Sequence, residues 1–227
     1  MAGLEQKLYE APILVPNEHH MALVFVLDTS DSMYGAPINE LNKGLNLFKE
    51  QVCKDSHTRK VLDVAIVEFN TDFSVPQDFT PVEYMDTIEL TTKGLTYYTD
   101  PIREAIQMVS ERSKFYKNTG TEPYKPWIIF VTDGAPMDDI TDVAREIKEL
   151  QDADKLRFIS LGVEGYDSKV LHTLSDAVFR LEGKDFTSFF NWVSKSMRAV
   201  SVSVPGDKVA LSPLDGNVYR DRDVSDI

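Results

Sequence analysis

Five oxygen-bearing side chains in the sequence have the types and spacing of a site for a hard divalent cation. They are Asp28, Ser30, Ser32, Thr96 and Asp133. The first three alternate along the chain, so an extended segment would aim their oxygens to one side. Gly94 allows a tight turn to present the threonine hydroxyl. Two carboxylates and three hydroxyls suit Mg²⁺, with Mn²⁺ and Ca²⁺ as alternatives, whereas a set without sulfur or imidazole does not suit zinc or copper.

These side chains can meet only if the segments before them lie side by side, and the hydrophobic pattern predicts that they do. Four apolar runs rich in Val, Ile and Phe are typical of strands buried on both faces of a parallel sheet. The runs are residues 22–27, 61–69, 127–131 and 157–163. Asp28 directly follows the first run and Asp133 closely follows the third. Both are therefore expected at the carboxyl-terminal edge of the sheet, where ligands bind in such folds.

Segments with helical periodicity alternate with these runs. In four places apolar residues recur at intervals of three and four, which predicts four helices. The four series begin at Pro37, Pro101, Ile140 and Phe186. Asp138 and Asp139 are expected to cap the third of these helices. The alternation of strand and helix predicts a doubly wound α/β fold with a mostly parallel sheet and helices on both faces.

Residues 72–79 differ from the buried runs. Phe73, Val75 and Phe79 alternate with polar residues, and Pro76 cannot donate a hydrogen bond to a neighbouring strand. This pattern predicts a half-exposed strand at the edge of the sheet. Only two residues separate it from the preceding run, so it is expected to be antiparallel to that run.

One domain is expected, with a shorter segment on each side of it. The domain is assigned to residues 20–203, with an N-terminal extension at residues 1–19 and a C-terminal tail at residues 204–227. The tail is polar and aperiodic, which predicts an extension or a disordered linker rather than a second domain. The alternative is that its apolar residues Val209, Leu211, Leu214 and Tyr219 cover an apolar groove on the domain.

Composition narrows the classes of function. Lys and Arg number 24 against 37 Asp and Glu, a formal net charge of −13. Nucleic acid and anionic membranes require clustered cations, so neither is expected as a partner. No apolar run is long enough to span a bilayer, and no signal peptide is visible. The single cysteine, Cys53, cannot form an internal disulfide, so the sequence does not call for an oxidising compartment. A soluble, cytoplasmic protein is therefore expected.

The five oxygen-bearing residues resemble the metal-ion-dependent adhesion site of von Willebrand factor A (VWA) domains. That site is written D-x-S-x-S, followed by a distant Thr and a distant Asp. The matching residues are Asp28, Ser30, Ser32, Thr96 and Asp133. Asp31 stands where the family usually has Gly, and Lys93-Gly94-Leu95-Thr96 replaces a more common Gly-Gly-Thr. The resemblance implies that these five residues hold Mg²⁺ or a similar ion.

Three longer segments are similar to the bacterial branch of that family associated with tellurite-resistance and stress-response gene clusters. They read VLDTSDSMYGAPINELNKGLNLFKE, KGLTYYTDPIREAI and PWIIFVTDGAP. The resemblance implies a metal-dependent protein–protein interaction module that binds an Asp or Glu side chain of a partner through the cation. It further implies that the partner is a kinase or a phosphatase encoded in the same gene cluster.

A Mg²⁺-dependent phosphatase of the haloacid dehalogenase type is the alternative. Asp28 follows the first strand, where those enzymes carry their nucleophile. Their chemistry needs a second carboxylate two residues later as acid and base, but position 30 is Ser. Neither a G-x-x-x-x-G-K-[ST] nor a G-x-G-x-x-G motif is present. The sequence therefore favours a binding module and not an enzyme.

Overall fold

A computed structural model describes residues 18–221 of the chain. The predicted N-terminal extension lies almost entirely outside the described residues, as do residues 222–227. Seven strands are found in the described part. They are β1 (Met21–Asp28), β2 (Leu62–Phe69), β3 (Phe73–Pro81), β4 (Trp127–Thr132), β5 (Arg157–Gly162), β6 (Val178–Leu181) and β7 (Val218–Arg220). They form one sheet in the order β3-β2-β1-β4-β5-β6-β7.

Six α-helices accompany the sheet in the same range. They are α1 (Ala36–Cys53), α2 (Thr58–Val61), α3 (Thr99–Asn118), α4 (Thr141–Asp152), α5 (Ser168–Leu174) and α6 (Thr187–Ser201). Two short 3₁₀ turns follow β1 and β3, at Asp31–Met33 and Val82–Tyr84. Each of the four predicted helices is present, and each begins within a few residues of its predicted start.

β1 is the centre of the sheet. It pairs in parallel with β2 on one side and with β4 on the other, and all eight of its residues are buried. Leu23, Phe25 and Leu27 pack with apolar residues of α1 and α6. Val24 and Val26 pack with residues of α3 and α4. This alternation gives β1 a helical layer on each face, which explains why its sequence is apolar at successive positions.

The predicted fold class is confirmed. Strands β1, β2, β4, β5 and β6 pair in parallel, and β3 lies antiparallel to β2 at one edge. The structure adds a second antiparallel edge strand, β7, which pairs with β6. Neither β6 nor β7 was predicted as a strand, because four and three residues are too short for a periodic pattern.

The tail after residue 203 packs against the domain as far as the structure describes it. Trp192 of α6 donates a hydrogen bond through Nε1 to the carbonyl oxygen of Ser212 at 2.8 Å. Val218 in β7 is 2% exposed, and three further apolar side chains pack against the core. They are Val209, Leu211 and Leu214. As far as residue 221, the tail is therefore an ordered extension and not a disordered linker. The alternative in which it covers an apolar groove agrees with the structure for Val209, Leu211 and Leu214, whereas Tyr219 is 42% exposed.

No helix in the described part of the chain is long and apolar enough to cross a membrane.

A chain ending at residue 203 tests the contribution of the tail to stability. We expect it to melt at a lower temperature than the full chain, because it exposes the edge of β6 and the apolar surface under the tail. The loss should be at least about 2 kcal/mol, which corresponds to roughly 4–8 °C for a domain of this size. A chain ending at Asp221 is the matched control and should melt like the full protein. Equal melting temperatures for the two truncations would show that the packed tail adds no stability.

Candidate metal centre

The first three candidate ligands lie where β1 ends and turns towards α1. Asp28 is the last residue of β1 and is completely buried. The backbone N–H of Ser30 donates a hydrogen bond to Asp28 Oδ1 at 2.8 Å. The hydroxyl oxygens of Ser30 and Ser32 lie 2.9 Å apart, within hydrogen-bond distance. The alternation expected from the sequence therefore brings these polar groups together.

Asp133 joins the same group from the neighbouring strand. β4 lies parallel to β1, with Leu27 opposite Val131, so both strands end at the same edge of the sheet. Ser32 Oγ donates a hydrogen bond to Asp133 Oδ1 at 2.6 Å. Four of the five predicted ligands thus form one continuous hydrogen-bonded network. It joins Asp28, Ser30 and Ser32 to Asp133, which lies more than 100 positions later in the chain.

Thr96 is brought to this edge by the loop before α3. The backbone N–H of Asp31 donates to the carbonyl of Gly94 at 3.0 Å, and that of Met137 donates to the carbonyl of Thr96 at 2.9 Å. A Cβ atom built on Gly134 would lie 3.6 Å from Thr96 Oγ1, which places the hydroxyl beside the residue that follows Asp133. The loop that carries Thr96 is therefore hydrogen-bonded to both of the other ligand-bearing loops.

Gly94 has a conformation that its loop requires. Its φ is +71°, and a Cβ atom there would lie 2.4 Å from Thr71 Oγ1. A side chain at this position would be strained and would clash. The prediction that this glycine permits the turn before Thr96 agrees with the structure.

Two residues that support Asp28 were not singled out from the sequence. Thr132 Oγ1 donates to Asp28 Oδ2 at 2.6 Å. The hydroxyl of Tyr98 lies 2.9 Å from Thr132 Oγ1 and donates to the carbonyl of Gly134 at 2.8 Å. Thr132 occupies the last position of β4, directly before Asp133, and this placement is the only sequence signal for its role. No pattern in the sequence points to Tyr98.

The prediction for Asp138 and Asp139 is half correct. Asp139 Oδ1 accepts hydrogen bonds from the backbone N–H and the hydroxyl of Thr141, at the start of α4. Asp138 instead accepts from the backbone N–H groups of Tyr98 and Thr99, at 2.9 and 2.8 Å. It therefore caps α3, and it fixes the chain two residues after Thr96.

The two carboxylates of the network are buried negative charges. Asp28 is 0% exposed and Asp133 is 7% exposed. Burial raises the pKa of Asp28 to about 6. The hydrogen bonds from Ser30 and Thr132 lower this pKa, but burial has the larger effect. Burial also raises the pKa of Asp133. Within residues 18–221, neither carboxylate forms an ion pair with a Lys, Arg or His side chain.

This arrangement fits a hard divalent cation. Oxygen donors converge at one edge of the sheet, and the negative charge of the two carboxylates lacks a basic partner among the described residues. No three or more His, Cys, Asp or Glu side chains come together as a metal cluster in residues 18–221. The candidate site has only two such side chains, and hydroxyls supply its other oxygens. The assignment of the five residues as ligands remains a prediction.

The chain belongs to the von Willebrand factor type A domain family. The family model matches residues 22–201, which is most of the chain. No curated protein is similar enough in sequence to match. The structure supplies no observation that favours the phosphatase alternative.

Solved structures with low sequence identity share the fold. Proximal thread matrix protein 1 from the mussel byssus is 17% identical, with a TM-score of 0.58 over 91% of this chain and 50% of its own. A second structure of that protein, with zinc in its metal-ion-dependent adhesion site (MIDAS) motif, is 21% identical, with a TM-score of 0.56 over 82% of this chain and 46% of its own. The pilus adhesin SpaC from Lactobacillus rhamnosus GG is 12% identical, with a TM-score of 0.66 over 81% of this chain and 31% of its own. The present chain thus spans half or less of the length of these proteins.

Divalent cations should stabilise the protein through this site. A ligand that binds only the folded state at one hundred times its dissociation constant adds about 2.7 kcal/mol. Melting in excess Mg²⁺ should therefore occur roughly 5–11 °C higher than in EDTA. Asp28→Asn should abolish this difference, because it removes a buried carboxylate of the site.

Asp86→Asn is the matched control for that experiment. Asp86 is exposed, so the same chemical change there should leave the Mg²⁺ effect intact. Equal Mg²⁺ shifts in Asp28→Asn and in the unsubstituted protein would contradict the assignment of the site.

The same Mg²⁺ effect should depend on pH. The cation binds the ionised carboxylates, and burial raises the pKa of Asp28 to about 6 in the metal-free protein. Protons therefore compete with Mg²⁺ as the pH falls through about 6. Melting curves from pH 5 to pH 8 should show the full Mg²⁺ shift at pH 7.5 and about half of it at pH 5, because one proton with a pKa of about 6 weakens binding about tenfold there. A shift that stays constant down to pH 5 would show that Asp28 does not titrate as its burial implies.

Proposed function

We propose that this domain is a metal-dependent protein–protein interaction module that binds an acidic side chain of its partner. Asp28, Ser30, Ser32, Thr96 and Asp133 would hold the cation, with Mg²⁺ as the preferred ion and Mn²⁺ or Ca²⁺ as alternatives. The observation that carries the proposal is the network of hydroxyls and two buried carboxylates at the edge of the sheet. A cation held there supplies the positive charge that attracts a further carboxylate.

The residues themselves leave room for a ligand from outside the chain. Both oxygens of Asp28 already accept a hydrogen bond, one from the Ser30 N–H and one from the Thr132 hydroxyl. Each of these oxygens keeps a further lone pair, so Asp28 would still be able to hold a cation. Mg²⁺ prefers six oxygen ligands, so the five side chains need not fill its coordination, and a partner carboxylate has a position to occupy.

Two of the similar structures support this proposal. The byssus protein holds zinc in its MIDAS motif, which supports a divalent cation at the matching residues here and does not agree with the exclusion of zinc from donor types alone. The pilus adhesin supports a role in binding another molecule. A non-enzymatic role agrees with Ser at position 30, where a dehalogenase-type phosphatase would need a carboxylate.

The biological setting is proposed from sequence resemblance alone. The segments around Asp28, Thr96 and Asp133 resemble the bacterial tellurite-resistance and stress-response branch of the family. That resemblance supports a cytoplasmic complex, with a kinase or phosphatase of the same gene cluster as the partner.

Mg²⁺-dependent capture tests the proposed function. Proteins from the source cells that bind the immobilised domain in Mg²⁺ should be released by EDTA, and replacement of one Asp or Glu of the recovered partner should prevent binding. Ser30→Ala should lose the partner, because its hydroxyl belongs to the network. Asp31→Asn should strengthen the complex about twofold, because it removes an exposed negative charge beside the docking carboxylate.

Ser110→Ala is the control for the serine substitution. Ser110 is exposed in α3, away from the network, so this variant should retain the partner. A complex that survives both EDTA and Ser30→Ala would show that the partner binds another surface.

A further inference from the structure

Each loop that carries a candidate ligand also exposes one large apolar side chain. Seven large apolar side chains are exposed in residues 18–221. Three of them, Tyr34, Leu95 and Met137, are exposed by 80%, 51% and 62%. Each belongs to a different one of the three loops that carry the candidate ligands. These three residues are called the apolar rim.

The apolar rim is part of an ordered framework. The backbone N–H of Tyr34 donates to the carbonyl of Asp31 at 3.2 Å, and that of Met137 donates to the carbonyl of Thr96 at 2.9 Å. The backbone N–H of Leu95 donates to Thr71 Oγ1 at 2.8 Å. The backbone of each rim residue is therefore already held in place. A partner that covers these side chains loses little entropy in ordering the loops.

The charge around the rim restricts what a partner can present. Four exposed carboxylates lie at the same edge of the sheet. They are Asp31, Asp72, Asp100 and Asp139. The whole chain carries a formal net charge of −13. One exposed lysine, Lys93, lies in the loop that carries Leu95, and the four carboxylates outnumber it. Further negative charges on a partner therefore meet net repulsion, whereas apolar side chains gain by covering the rim.

We propose that the metal centre selects a partner segment in which a single Asp or Glu is flanked by large apolar residues and not by further acidic ones. This inference rests on the proposed function, since the carboxylate must first dock on the cation. The flanking side chains bury the apolar rim. Because partial burial of one large side chain changes affinity by roughly five- to tenfold, the rim distinguishes this segment from an acidic tract that offers the same carboxylate.

Selection from a displayed peptide library tests the inference. The library has a fixed central Glu with three random residues on each side, and a companion library has Gln at the centre. Peptides are bound to the full chain in Mg²⁺ and eluted with EDTA. The Glu library should yield peptides enriched at least about fivefold in Leu, Ile, Met, Phe or Tyr beside the Glu, and depleted in Asp and Glu. The Gln library should yield no enrichment.

Variants locate the selected surface. Leu95→Ser and Met137→Ser should each weaken binding of a selected peptide by roughly five- to tenfold. Tyr84→Ser is the matched control, because Tyr84 is 68% exposed but follows the end of β3 that pairs with the start of β2, opposite the metal edge. It should bind the selected peptide like the unsubstituted protein.

The outcomes separate this inference from the proposed function. If the Glu peptides eluted by EDTA have random or acid-rich flanking residues, the apolar rim has no role in selection. The docking of the carboxylate on the cation would then still stand. Equal recovery from the Glu and Gln libraries would overturn the proposed function, and the inference with it. Selected peptides that bind Leu95→Ser and Met137→Ser as tightly as the unsubstituted protein would also overturn the role of the rim.

Discussion

Two buried carboxylates at the ends of adjacent parallel strands are the constraint on which this structure depends. β1 and β4 end side by side, so Asp28 and Asp133 leave the sheet at the same edge. Removal from water penalises their charge, and burial raises the pKa of both. Within residues 18–221, hydrogen bonds and not basic side chains stabilise these charges. A divalent cation, bound as proposed, would offset the penalty that remains.

The surrounding loops are organised to keep that arrangement in place. Thr132 binds one oxygen of Asp28, and the hydroxyl of Tyr98 connects Thr132 to the carbonyl of Gly134. Asp138 caps α3 and so fixes the chain just after Thr96. These contacts link the ends of β1 and β4 to the start of α3. The same loops expose the apolar rim, so the framework that positions the candidate ligands also positions the surface that a partner would cover.

The fold and much of the site could be predicted from the sequence because both follow short-range patterns. The continuous apolar character of β1 and β4 marks buried parallel strands, and the polar residues after them must then share one edge. Tyr98 could not be predicted, because its contact with Thr132 depends on how α3 packs against the sheet. Strand β7 escaped prediction for a related reason, since Val218 is buried by pairing with a strand, β6, that is itself only four residues long.

The most direct test of the account is to locate the cation. Crystals of the full chain grown with Mn²⁺ and measured at the manganese absorption edge give the position of the ion independently of the protein coordinates. We expect one strong anomalous peak within the group formed by Asp28, Ser30, Ser32, Thr96 and Asp133. A peak at another place on the protein, or no peak at this edge of the sheet in saturating Mn²⁺, would contradict it.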